Sequence, residues 1–344
     1  MLKRTVLAAA VLAAMSGTAL AAPPYIVTSD ANDGGGSLRD ALGSGASVIK
    51  IPGTIGDIMI DGTLEYTSEV SLKIIGSGQT IVGGDFTLFA ATMGADLEIT
   101  NLSFEGPGIY DENDNPDGYD VFNQGGGNAI LVDVPLEREG VVQLRLANVG
   151  VYGVGDHGIF VNDCNEEDCG EGQSATGLGS EASVHGVFSD VTVRDSGWGK
   201  ADGDGVRFNE RDLGHIIFEA TNSDFDNNGA DGVELDEADE GDVVIAVRNS
   251  GFDRNGAYCL PLPEEDSNPP EEFADCYDEG EIDLDDAFDI DEAGDGSILG
   301  WVSNVWASNN LDEGIDFDEA GDGGFDLAFA SVEAYNNGDE AIKT

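Results

Sequence analysis

Gly205-Val-Arg-Phe-Asn-Glu210 returns as Gly232-Val-Glu-Leu-Asp-Glu237, as Ala287-Phe-Asp-Ile-Asp-Glu292 and as Gly314-Ile-Asp-Phe-Asp-Glu319. Adjacent copies begin 27 residues apart, at 205 and 232 and again at 287 and 314. The middle gap of 55 residues is one period plus an insertion of 28. A second phrase keeps the same beat: Asn227-Asn228-Gly229, Arg254-Asn255-Gly256, Asn309-Asn310-Leu311 and Asn336-Asn337-Gly338. Self-similarity at a fixed period means stacked units, each too small to bury its own apolar face.

The unit is built of strands. In Val233-Glu-Leu-Asp236 apolar residues alternate with acids, a period of two, and Val243-Val-Ile-Ala-Val247 is a second, more apolar strand. Asn and Gly punctuate between them. This is one coil of a parallel β-helix. Ankyrin and tetratricopeptide repeats are longer and helical, and the Leu-x-x-Leu-x-Leu pattern of leucine-rich repeats is absent. The phase extends upstream: Gly158-Ile-Phe-Val-Asn162 aligns with Gly205-Val-Arg-Phe-Asn209, and Asn128-Ala-Ile-Leu-Val132 lies a coil earlier. One solenoid is therefore expected over 48–344, interrupted by insertions at 106–127, 164–181 and 257–286.

Residues 1–21 read as a signal peptide. Lys3 and Arg4 precede the apolar run Val6–Met15, and Ala19-Leu20-Ala21 is a small-x-small cleavage site. The run is too short to span a membrane, so a secreted, extracellular or periplasmic protein without membrane insertion is expected. Export permits disulfides. Cys164 and Cys169 share one insertion and Cys259 and Cys276 another, which favours the two local pairings over a zinc site, since neither pair has CxxC spacing and no His lies within either loop.

Two segments carry a resemblance. Tyr25-Ile-Val-Thr-Ser-Asp-Ala-Asn-Asp-Gly-Gly-Gly-Ser-Leu-Arg-Asp-Ala-Leu42 and Leu72-Lys-Ile-Ile-Gly-Ser-Gly-Gln-Thr-Ile81 resemble the N-terminal part of secreted bacterial right-handed parallel β-helix proteins of the pectate-lyase-like superfamily. The resemblance implies an all-β, right-handed parallel β-helix with a cap over 22–47. Within that cap Ser37 is placed to N-cap a short helix ending at Leu42. The superfamily holds lyases, hydrolases, epimerases and non-catalytic surface proteins, so fold alone assigns no activity.

Charge is the second large signal. Without Lys3 and Arg4, 69 acids face 12 Lys and Arg, a net −57. From Asn255 to Ile342 there are 26 acids and no Lys, Arg or His. Such a balance excludes direct binding of nucleic acid or an anionic membrane as the default expectation. A salt-adapted, hydrated surface is one explanation. The repeats suggest another. If Val206, Val233, Phe288 and Ile315 point inward, the outward residues form two columns: Phe160, Arg207, Glu234, Asp289, Asp316, Lys343, and Asn162, Asn209, Asp236, Asp291, Asp318. Stacked coils bring neighbours to about 4.8 Å, and like charges directly opposite repel. Calcium suits such a grid of oxygens, with Glu234, Asp236, Asp289, Asp291, Asp316 and Asp318 as candidate ligands. Asp111-Glu-Asn-Asp-Asn-Pro-Asp-Gly118 is a weaker, loop-type candidate.

The three insertions should border this face, making Arg207, Asn209, Glu234 and Asp236 the floor of a binding groove. Lyases of the superfamily pair calcium with an Arg or Lys base, and the candidates here are Lys200, Arg207 and Arg211. The Arg-x-x-Pro-x-x-Arg signature of pectate lyases is missing, and of the hydrolase elements only fragments occur: Gly155-Asp-His-Gly158 and Asp285-Asp286. Asn101, Asn148, Asn222, Asn249 and Asn304 read as an internal asparagine ladder, Phe225 and Phe252 as a core stack, and Trp301 and Trp306 as core residues. His157, His185 and His215 read as turn or surface residues. The expected function is calcium-dependent engagement of extracellular or cell-surface polysaccharide as a binding or structural module, with a polysaccharide lyase or glycoside hydrolase as the alternative. The last phrase, Asp339-Glu-Ala-Ile-Lys-Thr344, shows no cap, which leaves room for end-to-end self-association.

Overall fold

Alternation at period two becomes parallel strand pairing along the chain. The structure, a computed structural model, describes residues 23–108, 126–164, 178–260, 262, 267–268, 276–278, 281–282 and 284–344. Eight short strands stack in chain order into one parallel sheet: Leu64–Tyr66, Phe89–Ala91, Ile130–Asp133, Ile159–Asp163, Val206–Asp212, Val233–Asp239, Phe288–Gly294 and Asp316–Glu319. A thirteen-stranded sheet, from Tyr25–Ile26 to Gly324–Tyr335, supplies the other walls, and its pairings are also parallel. The chain passes from one sheet to the other in each coil, and parallel neighbours joined by such crossovers wind right-handed. The fold is the expected right-handed parallel β-helix. It begins earlier than Val48, because Tyr25–Ile26 pairs with Val48–Lys50.

The short helix Leu38–Leu42 lies where expected. The Ser37 side chain accepts from the Asp40 amide, and Leu38, Ala41 and Leu42 are buried at the end of the first coils. Sealing that end removes an open edge.

Inward residues fuse into one continuous core. Phe225 and Phe252 stack at 5.1 Å between ring centroids, and Phe252 continues onto Phe288 at 5.3 Å. The expected aromatic stack is thus present and one ring longer. Trp301 and Trp306 depart from expectation. They sit on the outer side of the strand Ser297–Ser308, 50% and 38% exposed.

The asparagine ladder needs correction too. Asn101, Asn148, Asn222, Asn249 and Asn304 lie on an exposed corner, each with φ of 52 or 53°. Their short polar side chains tolerate the left-handed region and link coil to coil, for example Asn304 Nδ2 to Asn249 Oδ1 at 2.8 Å. The internal ladder is the second repeated phrase. Asn228, Asn255 and Asn310 are buried, and each Nδ2 donates to the Oδ1 of the next coil at 3.0 Å, ending on Asn337. Their backbone amides add to it, Asn228 N donating to Asn255 Oδ1 at 3.1 Å.

The insertion at 257–286 has a small core of its own. Tyr258, Cys259, Leu262 and Cys276 cluster around the disulfide Cys259–Cys276, and Ala201 packs against them. Tyr277–Asp278 and Glu281–Ile282 form an antiparallel pair. Cys164 is disulfide-bonded, and its expected partner Cys169 lies outside the described residues. So do residues 1–21 and the stretch Asp111–Gly118.

Removing Asn255 should unseat the inner ladder. Asn255→Ala orphans buried groups on both neighbouring coils, at about 1–3 kcal/mol each. Urea unfolding should show a loss of at least about 2 kcal/mol, whereas Asn249→Gly on the outer corner should stay within about 1 kcal/mol. Equal losses would contradict the assignment of inner and outer ladders.

Candidate functional site

The two outward columns form in the expected register. Phe160 pairs with Arg207, Arg207 with Glu234, Glu234 with Asp289 and Asp289 with Asp316, which bridges to Lys343. Beside them Asn162, Asn209, Asp236, Asp291 and Asp318 align. The floor is not open along its length. Arg207, Asn209, Glu234 and Asp236 are all buried, although they point away from the helix core. The face is less covered on both sides of this stretch: Phe160 and Asn162 are half-buried before it, Asp289 and Asp291 are half-buried after it, and Asp318 is exposed.

The covered stretch is an ion-pair cage. Arg207 Nη1 lies 2.7 Å from Asp202 Oδ2, 2.8 Å from Glu234 Oε2 and 3.5 Å from Asp204 Oδ2, while Nε donates to Asn209 Oδ1 at 3.0 Å. Arg211 Nη2 donates to Asp236 Oδ2 at 2.6 Å, and its Nη1 donates to the carbonyls of Glu210 and Asp236. A guanidinium set among carboxylates is their counter-ion, not a base. Arg211 is 1% exposed and does not reach a substrate. Lys200 Nζ donates to Asp156 Oδ2 at 2.5 Å. Burial works against ionisation of Asp156, but His157 and Lys200 outweigh it and hold its carboxyl below the usual range.

A further column runs along the turn before each floor strand. Asp204 N donates to His157 Nδ1, Asp231 N to Asp204 Oδ1, Asp286 N to Asp231 Oδ1, and Glu313 N to Asp286 Oδ1. These carboxylates do the work of turn-capping groups. Burial first, then neighbouring acids, push Asp231 and Asp286 well above the ordinary carboxylate range. Among the described residues no basic side chain pairs with either of them.

Turn and floor meet at one point. Asp286, Asp289 and Asp316 each offer an oxygen, all within 4.8 Å of one another. Asp286 also groups with Asp312 and Glu313, and Asp202, Asp204 and Glu234 form a third cluster around Arg207. Lys343 Nζ reaches Asp316 Oδ2 at 2.5 Å and Glu313 Oε1 at 3.4 Å. Burial pushes the Asp316 carboxyl up, against the opposing pull of Lys343. Of the six expected calcium ligands, Asp289 and Asp316 come together, joined by Asp286. Glu234 and Asp236 are taken by Arg207 and Arg211, and Asp291 and Asp318 enter none of the three clusters.

The repeat's terminal glutamate is the residue that pattern reading passed over. The parity that turns Val206 and Phe208 inward also turns Glu210 inward, and Glu237 and Glu292 repeat it, all buried. His157 is buried in the turn before its floor strand, beside Asp156, Asp204 and Phe160, whereas His185 and His215 are half-buried at the surface. His215 Nδ1 accepts from the Asp242 amide at 2.7 Å, and His185 bridges Gln143 and Glu219.

Fold and face define a class: a right-handed parallel β-helix in which one sheet carries stacked carboxylates on its outer side, its inner side and its preceding turn. No protein-family model matches the chain. No curated protein matches it either. Among solved structures, the crystal structure of Dettilon tailspike protein is similar over 90% of this chain and 64% of its own, at 11% identity and a TM-score of 0.27. The chain therefore spans less than two thirds of that protein's length.

The Arg211–Asp236 pair offers a test of the cage. Arg211→Met leaves Asp236 buried without this partner and should cost about 3–5 kcal/mol in urea unfolding. Combining it with Asp236→Leu should recover most of that loss, since a buried ion pair is replaced by apolar packing. A mild effect of Arg211→Met alone would place the pair in solvent instead.

Proposed function

We propose that this is an exported polysaccharide-engaging β-helix whose acidic face works through a divalent cation, calcium by its oxygen chemistry. One observation carries the reading: Asp286, Asp289 and Asp316 converge in a stretch, Asn255 to Ile342, that holds no basic residue. Asp286 and Asp316, both pushed up by burial, stand with Asp289, and Lys343 meets only the Asp316 edge; such a group of oxygens suits a hard cation. The half-buried edge at Asp289 leaves that cation in reach of an acidic sugar, whereas Arg207, Asn209, Glu234 and Asp236 are too covered for direct contact.

The sequence supports the rest. Residues 1–21 have the pattern of an export signal, and Tyr25–Leu42 resembles the cap of pectate-lyase-like proteins. Among the described residues no helix is long and apolar enough to cross a membrane. Trp301 and Trp306 add exposed aromatic surface of the kind that stacks on sugar rings. Binding is favoured over cleavage because Lys200, Arg207 and Arg211 are all engaged by carboxylates. The lyase or hydrolase reading draws on the cluster of Asp156, His157, Lys200 and Asp204 at the edge of the cage.

Thermal unfolding in calcium and in sodium chloride of equal ionic strength tests the cation. A ligand bound only by the folded state stabilises it by about 2.7 kcal/mol at a hundred times its dissociation constant. Millimolar calcium should raise Tm well beyond sodium, and Asp289→Asn with Asp316→Asn should abolish the difference. Retention of the protein on alginate or pectate should need calcium and be reversed by chelator, without release of unsaturated uronides. Equal effects of sodium and calcium would reduce the face to screened charge, and turnover of the polysaccharide would replace binding with catalysis.

A further inference from the structure

The inner side of the eight-stranded sheet carries its own column of acids. Glu210, Glu237 and Glu292 stand in register on successive coils and are 0%, 0% and 1% exposed. The column continues to Asp163 on one side and to the half-buried Glu319 on the other.

Each glutamate uses one oxygen in the same way. Oε1 of Glu210, Glu237, Glu292 and Glu319 accepts the amide of the glycine four residues on, Gly214, Gly241, Gly296 and Gly323, at 2.9–3.2 Å. Asp163 likewise accepts from the Ser180 amide at 2.9 Å and hydroxyl at 2.7 Å. These bonds fix the turn that leaves each floor strand. The glycines are required there: a Cβ on Gly214 would fall 2.2 Å from Glu210 Oε1, and one on Gly241 2.4 Å from Glu237 Oε1. The other oxygen of Glu210, Glu237 and Glu292, Oε2, is buried and has no hydrogen-bond partner. Among the described residues no basic side chain pairs with any of the three. Arg211 is next to Glu210 in sequence, but its guanidinium bonds Asp236 and two carbonyls.

Buried carboxylate oxygens facing one another at about one strand spacing need something between them. A line of acids, one per coil, offers a metal ion oxygens from only two coils at a time, and none of the three-residue clusters of metal-ligand type lies in it. A proton needs only two oxygens. We propose that Glu210, Glu237 and Glu292 form a proton-linked clamp: they are carried as neutral carboxylic acids that hydrogen-bond from coil to coil, and losing those protons loosens the three exit turns.

The surroundings reinforce this. Burial first, then Glu237 and Asp163, push Glu210 up to about 10. Burial and then Glu292 push Glu237 up to about 8. Burial raises Glu292 as well, with Glu319 and Asp242 adding to it. Burial raises Asp163 to about 6, and Asp212 adds to that. The groups facing the column are thus themselves acids. A glutamate in the unfolded chain titrates near about 4.3. The folded state therefore holds more protons, and the column's contribution is complete below that value and lost as pH rises through about 8 to 10.

Glu237→Gln tests the clamp, because the amide keeps the Gly241 bond and donates as a neutral acid would. Each proton held only by the folded state changes the unfolding equilibrium constant by about tenfold per pH unit. Between pH 6 and 7.5 the wild-type stability should fall about tenfold per pH unit more steeply than that of Glu237→Gln. The variant should have the higher Tm at pH 9, with the two converging at pH 5. Glu210→Gln should behave alike. Infrared difference spectra at neutral pH should show a protonated-carboxyl carbonyl band that either substitution weakens. Identical pH slopes with no such band would overturn the proposal. So would a Glu237→Gln variant that is destabilised equally at every pH, because the side chain would then act through packing and the Gly241 bond and not through a proton. Neither outcome bears on the Asp286–Asp289–Asp316 cluster, which stands on other residues.

Discussion

Repulsion between carboxylates stacked one strand apart is the constraint around which this molecule is organised. A 27-residue repeat that ends its floor strand in Asp-x-Asp-Glu places like charges at about 4.8 Å on consecutive coils. Burial makes the conflict worse, because a low-dielectric interior strengthens every unpaired interaction. The fold resolves it differently on each side of one sheet. On the outer face Arg207 and Arg211 neutralise the first coils and Lys343 the last. At the turn, backbone amides of the following coil cap Asp204, Asp231 and Asp286. On the inner side glycine amides take one oxygen of each glutamate and leave the other to a proton.

These solutions run out in the same place. Between the two arginines and Lys343 lies the coil of Asp286 and Asp289, where cage and turn ladder converge and the face begins to open. The proposed cation reading rests on that geometry. Exposed acids keep a protein soluble without arrangement, whereas these are in register, largely covered, and short of counter-charge at one defined point. The covering is uneven: Arg207, Asn209, Glu234 and Asp236 are buried, whereas Asp289 and Asp291 are half-buried.

Much of this was legible in the sequence. The strict period gave the register of both outer columns, down to Lys343 opposite Asp316, because a parallel solenoid maps sequence offset directly onto spatial neighbours. Ser37 as N-cap and the Phe225–Phe252 stack followed from equally local rules. What escaped was whatever depends on packing between distant parts. Burial of Arg207 and Glu234 is not a property of their strand, and parity alone reads them as exposed floor. Asp286 joins Asp289 through the three-dimensional turn, not through alternation. Residue type does not separate the inner asparagine ladder from the outer one, since Asn suits both an exposed left-handed corner and a buried amide chain. The glutamate column was legible by parity, yet apolar expectation for inward positions masked it. Trp301 and Trp306 fall on the outer side of a strand whose alternation does not distinguish the two faces.

Anomalous diffraction from crystals grown with a calcium-like heavy cation, such as a lanthanide, tests this division of compensators most directly. Peaks are predicted at Asp286, Asp289 and Asp316 and none along Glu210, Glu237 and Glu292, which hold protons instead. A peak within the inner glutamate column, or none at the aspartate cluster, would contradict it.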